Sequence, residues 1–200
     1  WEQSLAQLVV CDVCRSAVVV NEDTLRVAGK LSILTQTPSP LCVGAQGIVG
    51  KDTCLVLGRV RYQYERGLWD EWYCQDQEGK TYWVGEDEGT FTQSRLQESI
   101  HLPPHWLEHA RPGATTNMEG DTWRITERDK ATCVGGEGQL PFVVVSGEEI
   151  EFVELSAGAK RFATVEFEDE PTDPGVSTCR VYIGRRIQLD HLYFPSDDPT

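Results

Sequence analysis

Leu57-Gly58-Arg59-Val60-Arg61-Tyr62-Gln63-Tyr64, Trp69-Asp70-Glu71-Trp72-Tyr73 and Tyr82-Trp83-Val84-Gly85-Glu86 follow one another closely and decide the fold. Each interleaves aromatic residues with charges at period two and leaves little room for helix. A glycine stands in each connection, Gly67 and Gly79. This is the pattern of a meander of short antiparallel strands, predicted over 54–64, 69–75 and 80–85. If residues 65–68 and 76–79 close the two hairpins, Arg61 lies opposite Trp72 and Trp72 opposite Trp83. One face then carries Arg59, Arg61, Trp72 and Trp83, with Asp70 diagonal to Arg61. The other carries Val60, Tyr62, Tyr73, Tyr82 and Val84 and reads as core. A cation over an indole contributes roughly 0.5–2 kcal/mol, and aromatic cross-strand pairs about 0.5–1.5 kcal/mol. The first face is therefore either a staple across three strands or a partly exposed platform for a protein or small ligand. Arg59, Arg61, Asp70, Trp72 and Trp83 are its candidate binding residues.

Outward from the meander, strand patterns recur at 16–20, 122–125, 142–145, 149–155, 162–167 and 180–184. In 149–155, Ile150, Phe152 and Leu155 stand among charged neighbours, as expected of a half-buried strand. Gly135-Gly136-Glu137-Gly138 reads as a glycine loop ahead of a strand. Proline clusters punctuate the chain around 36–44 and 103–113. The organisation predicted is a segment at 1–35, an aromatic β unit at 36–100, an irregular connector at 101–120, a second β unit at 121–194 and an acidic frayed tail at 195–200. The fold class is all-β, antiparallel, sandwich or barrel-like, with two similar small β units as one arrangement.

The chain has 200 residues and a net charge of −14. Such a surface repels phosphate backbones and offers no basic anchor for anionic lipid, which argues against nucleic-acid and membrane-surface partners. No apolar run approaches the roughly 20 residues that span a bilayer, and no signal peptide is visible. Seven cysteines, an odd number at mostly wide spacings, argue against a disulfide scaffold and for a reducing, cytoplasmic setting.

Two motifs carry metal chemistry on paper. Cys11-Asp12-Val13-Cys14 has the thiolate spacing of half a zinc site, but four ligands are needed and no second pair follows. Valines follow it, where a redox pair would open a helix. His105-Trp106-Leu107-Glu108-His109 matches the inverted zinc-protease pattern, with two histidines as ligands and Glu108 as base. The flanking prolines restrict it to a short helical turn, and no third ligand is apparent. No nucleophile elbow or phosphate loop is present. Glu86-Asp87-Glu88-Gly89 reads as a solvated acidic turn in preference to a cation loop.

Ser39-Pro-Leu-Cys-Val-Gly44, Gly58-Arg-Val-Arg-Tyr-Gln-Tyr64, Trp69-Asp-Glu-Trp-Tyr73, Trp83-Val-Gly-Glu-Asp-Glu-Gly89 and Glu137-Gly-Gln-Leu-Pro-Phe142 together resemble a bacterial family of unknown function, number 4178, over about residues 38–194. Gln139 departs from the glutamate that family tends to carry. The resemblance implies an N-terminal zinc ribbon in some members, with Cys11 and Cys14 matching its second cysteine pair and the first lying before Trp1. Zinc would then belong to a longer chain, and none to this one. It also implies, by association alone, a setting with envelope-stress proteins and aminopropyltransferase-like partners. The expectation is a non-catalytic accessory module that binds protein partners. A metal-dependent hydrolase on His105, Glu108 and His109, and a small-ligand β-barrel, are the rivals.

Overall fold

Strand takes up about 60% of the chain and helix about 4%, as the alternating, glycine-punctuated sequence requires. The computed structural model describes residues 7–21, 24–31, 33–100, 102–103, 105–167 and 179–195; the expected fraying of the tail lies outside them from residue 196 on. β1 (Leu8–Val10), β2 (Ser16–Asn21) and β3 (Thr24–Lys30) form an antiparallel ribbon. β4 (Gln46–Val49) pairs with the start of β5 (Asp52–Tyr64). The first meander continues through β6 (Gly67–Gln75), β7 (Thr81–Asp87) and β8 (Thr90–Leu96). One helical turn, α1 (Trp106–His109), and β9 (Thr115–Met118) lead to a second meander. Its strands are β10 (Asp121–Leu140), β11 (Glu149–Ala157), β12 (Arg161–Phe167) and β13 (Cys179–Ile187). β14 (Leu192–Tyr193) returns to pair with β4.

The two β units are halves of one barrel. β8 pairs with β13 and β10 pairs with β5, so the order β5-β6-β7-β8-β13-β12-β11-β10 closes on itself as eight antiparallel strands. Closure removes the open strand edges that two separate sheets would present.

Glycine permits the β5–β10 seam. Gly135 to Gly138 form no loop; they lie inside β10, beside a bulge between Cys133 and Gly135. Gly138 faces Gly58 across the seam. A Cβ on Gly138, whose φ is +75°, would stand 2.3 Å from the Leu57 carbonyl oxygen, and one on Gly58 would stand 2.3 Å from that of Gln139. Backbones this close exclude side chains. The expected strand at 142–145 is absent: β10 ends at Leu140, and the next segment turns back, with Val144 buried.

The strands are buried on both faces, which single-face alternation did not anticipate. Inside lie Val60, Tyr62, Tyr73, Trp83, Ala131, Cys133 and Phe152, and β1, Ala17, Leu31, Leu140 and Val144 extend this cluster. Outside the first meander, Val56, Trp72, Cys74, Tyr82, Val84 and Phe91 pack under Leu41, Val49, Leu192 and Phe194. Outside the second, Trp123, Ile125, Val153, Leu155, Val165 and Val181 pack under the segment that carries Leu102, Trp106, Leu107 and Ala110. Ile150 and Phe152 therefore turn inward and Leu155 outward; they do not share a face. In β5 an extra residue, Leu57, bulges between Val56 and Gly58. That exchanges the faces: Cys54 and Val56 join the outer cluster, while Val60, Tyr62 and Tyr64 join the inner one.

Candidate functional site

The row of charges and indoles is only partly as expected. A two-residue turn joins β5 to β6, with Tyr64 opposite Gly67, so Arg59 faces Trp72 and Arg61 faces Asp70. This moves the predicted register by two residues and keeps the faces. The next hairpin differs by one. Gln75 faces Thr81, leaving a loop of Asp76 to Lys80, which places Val84 opposite Trp72 and Trp83 opposite Tyr73. Asp76 holds this loop by accepting from the Glu78 N–H at 3.0 Å and the Lys80 N–H at 2.9 Å. An odd shift turns every side chain over. Trp83 therefore points inward, away from Trp72, and Tyr82 and Val84 point outward.

Nor is the row a surface. Arg59, Arg61, Asp70, Trp72 and Trp83 are between 1% and 7% exposed. Arg61 donates to both Asp70 oxygens, Nε at 2.8 Å and Nη2 at 2.6 Å. Its Nη1 reaches the Thr35 carbonyl at 2.8 Å and hydroxyl at 3.0 Å, and its Nη2 the Thr37 hydroxyl at 3.0 Å. Asp70 holds the Arg61 guanidinium protonated beyond its ordinary range. Arg59 lies 4.9 Å over the Trp72 ring and 2.8 Å from Glu137. The Trp72 indole N–H and the Ser39 hydroxyl both donate to Glu86, at 3.0 and 2.6 Å. The polar chain 35–39 is thus tied down over the barrel wall. These residues anchor a covering strap, and the partner platform expected there has no open face.

The open space is inside the barrel. A cavity of about 540 Å³ is lined by residues of both meanders, among them Tyr64, Trp69, Glu71, Thr92, Phe152, Glu154, Phe162 and Glu166. Its mouth lies where the hairpins after Tyr64, Asp87 and Ala157 turn, since Arg66, Thr90, Gly158 and Arg161 line it. A small recess below continues to Tyr62, Trp83, Phe142 and Tyr182. Trp69 forms an aromatic wall. Its ring stacks on Tyr62 at 5.1 Å and meets Tyr64 and Phe152 edge-on at 4.9 and 5.3 Å.

Carboxylates line the remainder. Asp87 accepts from the Tyr64 hydroxyl at 2.8 Å through Oδ2, while its Oδ1 is buried without a partner. Glu166 stands 3.5 Å from Arg180, and Glu127 binds Arg66 at 2.6 Å. Glu71 and Glu154 line the cavity and have no hydrogen bond or ion pair to the described residues. Burial first, and then the charges of Glu166, Glu154, Asp70 and Asp87, push the Glu71 carboxyl well above the usual carboxylate range. Burial, with Glu127 and Asp87 nearby, raises Glu154 as well. Gly85 leaves the room Glu71 occupies: a Cβ there would stand 3.2 Å from the Glu71 carboxylate and 2.6 Å from the Thr92 hydroxyl.

Of these carboxylates the sequence reading touched only Asp87, in an acidic turn expected to be solvated; it lies instead at the end of β7, half-buried, and for the others a signal was present. Glu71 shares parity with Trp69 and Tyr73, Glu154 with Ile150 and Phe152, and Glu166 with Phe162. An acid in step with an apolar inner face marks a polar lumen.

The metal motifs stay apart from the cavity. Cys11 and Cys14 lie in the turn from β1 to β2, where the Arg15 N–H donates to the Cys11 carbonyl at 2.9 Å and Arg15 has φ 59°. Both thiols are unbridged, as are the other five cysteines. His105 and Glu108 pair at 2.8 Å on an exposed single turn, and His109 Nδ1 lies 3.1 Å from the His105 carbonyl. Among the described residues no three His, Cys, Asp or Glu side chains gather closely enough to hold a metal ion.

Compared with known proteins, residues 43–189 match the model of a family described as a domain of unknown function, DUF4178. No curated protein and no solved structure matches the chain.

Proposed function

The chain belongs to the DUF4178 family, and from its own chemistry we propose that it is a binding protein whose barrel lumen takes a small molecule. The observation that supports this is the lumen itself: about 540 Å³ with an open mouth, an aromatic wall and inward carboxyl groups that do not pair with one another. Small-molecule sites have volumes of roughly 300–1,000 Å³ and combine apolar walls with a few polar groups. A barrel needing only stability would fill this space with side chains. Carboxyl groups left unpaired in low dielectric cost stability, so their presence points to a use. The role is binding, with no reaction assigned to the lumen.

A fragment screen followed by indole N–H resonances tests this. Bound fragments are expected to move the Trp69 and Trp83 signals, since both rings line the lumen or its recess. A Thr92→Trp variant that fills the lumen should stay folded and lose these shifts. Fragments that bind equally well to the filled variant, or none that bind at all, would refute the reading.

A further inference from the structure

We infer that the lumen is built for an organic amine, its cationic nitrogen set against Glu71 and Glu154 and its apolar body against Trp69 and Phe152. This deepens the lumen-binding reading and rests on it. The lining carries Glu71, Asp87, Glu127, Glu154 and Glu166 against Arg66, Arg161 and Arg186; Glu86 also lines it but commits its carboxylate to Ser39 and Trp72. Arg66, Arg161 and Arg186 leave Glu71, Asp87 and Glu154 without an ion pair. Arg66 is engaged by Glu127, and Arg161 by Asp121 outside the lumen. Arg186 acts on Glu154, but burial and the acids around that residue outweigh it. Two independent features show that the acids face an absent partner. Asp87 Oδ1 is buried with no hydrogen bond, and Glu71, deep in the wall, has none to the described residues.

The chemistry discriminates between occupants. An anion would add to the repulsion that Glu166, Glu154 and Asp87 set against ionisation of Glu71. A neutral alcohol could accept or donate hydrogen bonds but would leave that repulsion in place. A bare metal ion lacks a gathered ligand set among the described residues. An amine relieves the repulsion, gives Glu71 and Glu154 charge-assisted hydrogen bonds, and draws on the faces of Trp69 and Phe152. The Trp69–Phe152 contact at 5.3 Å places these rings together, beside the acids of the same cavity.

Three probes of one shape provide the test: phenethylamine, 2-phenylethanol and 3-phenylpropionate, titrated calorimetrically into the full chain while Trp fluorescence is followed. Phenethylamine is expected to bind at least about tenfold more tightly than either other probe. Glu71→Gln and Glu154→Gln, each checked for folding, should each weaken it by about tenfold or more. Thr92→Trp should abolish it. Equal binding of the alcohol or the acid, or amine affinity unchanged in both glutamine variants, would overturn the amine reading and leave the lumen standing as a site. Failure of all three probes to bind would overturn the amine reading, while the fragment screen alone would decide the lumen's role.

Discussion

Replacing Asp70 by Asn probes the link between strap and barrel. Asp70 is 5% exposed and Arg61 1% exposed. The carboxylate accepts two bonds from Arg61, at 2.8 and 2.6 Å, and its Oδ2 lies 3.6 Å from the Arg59 Nη1. Asn keeps the shape but removes the charge, and an amide oxygen can satisfy one of the two donors. Arg61 then remains buried with its charge uncompensated, which costs about 3–5 kcal/mol. At roughly 2–4 °C per kcal/mol for a chain of this size, the melting temperature should fall by about 6–20 °C. The Arg61→Met/Asp70→Leu pair removes both charges together and should cost clearly less than the sum of the single changes. Because Arg61 also holds Thr35 and Thr37, amides near 35–39 should exchange faster in Asp70→Asn than those of the β10–β11 ladder. Chemical denaturation of the three variants with hydrogen exchange decides the matter. A loss below about 1 kcal/mol for Asp70→Asn, or strict additivity in the cycle, would refute the account of a buried clamp.

Glu71 predicts a pH dependence. Its folded value is raised from the ordinary 4.5, so between that value and the raised one the folded state holds a proton that the unfolded state has released. Stability should therefore fall as pH rises through that window, and melting curves from pH 5 to 8 should show a shallower fall in Glu71→Gln than in the natural chain. The facing charges of Glu154, Glu166, Asp70 and Asp87 act in the same direction. At the seam, Gly138→Ala forces a Cβ to within 2.3 Å of the Leu57 oxygen at φ +75° and should cost about 3 kcal/mol or more by denaturant titration. Gly147→Ala, at φ +90° in open space, should cost only about 1–2 kcal/mol. Glu108→Gln alters only an exposed pair with His105. It should leave the denaturation midpoint within about 0.5 kcal/mol and phenethylamine binding unchanged.

The meander was legible because two signals agreed: period-two alternation and glycines at the turns. β5, β6 and β7 begin and end within two residues of the predicted spans. Register was less legible because it depends on turn length, and one additional residue at Lys80 sent Trp83 to the opposite face from Trp72. β10 was read as one short strand at 122–125 followed further on by a glycine loop at 135–138. Its middle, Glu127-Arg128-Asp129-Lys130, is highly charged, and its glycines serve a contact with β5 more than sixty positions earlier in the chain. No local pattern encodes that pairing. The burial of Arg59 and Arg61 was hidden for the same reason. Their alternation with Val60 and Tyr62 reads as an exposed face until the strap at 35–39 is known to cover it.

That covering explains how one domain treats its buried charges in two ways. On the outer wall each charge meets an opposite charge or hydrogen-bond partners: Arg61 has Asp70 and two threonines, Glu86 has Ser39 and Trp72, and Arg59 has Glu137, although Arg59 Nε is buried without a hydrogen bond. The strap supplies several of these partners, so buried polarity there fixes where the strap lies. Among the described residues no strap enters the lumen. Glu71 and Glu154 keep raised proton affinities, and Asp87 Oδ1 has no donor. The same strand, β6, carries both cases on adjacent residues, Asp70 facing outward and paired, Glu71 facing inward and without a hydrogen bond to the described residues. General limits on burial near this part of the wall cannot account for the difference, since the wall pairs its charges on one side. What separates the two faces is that the outer partner is part of the chain. For the inner face no described residue supplies the donors that complete the carboxyl groups, and on the function proposed above a ligand's amine supplies them.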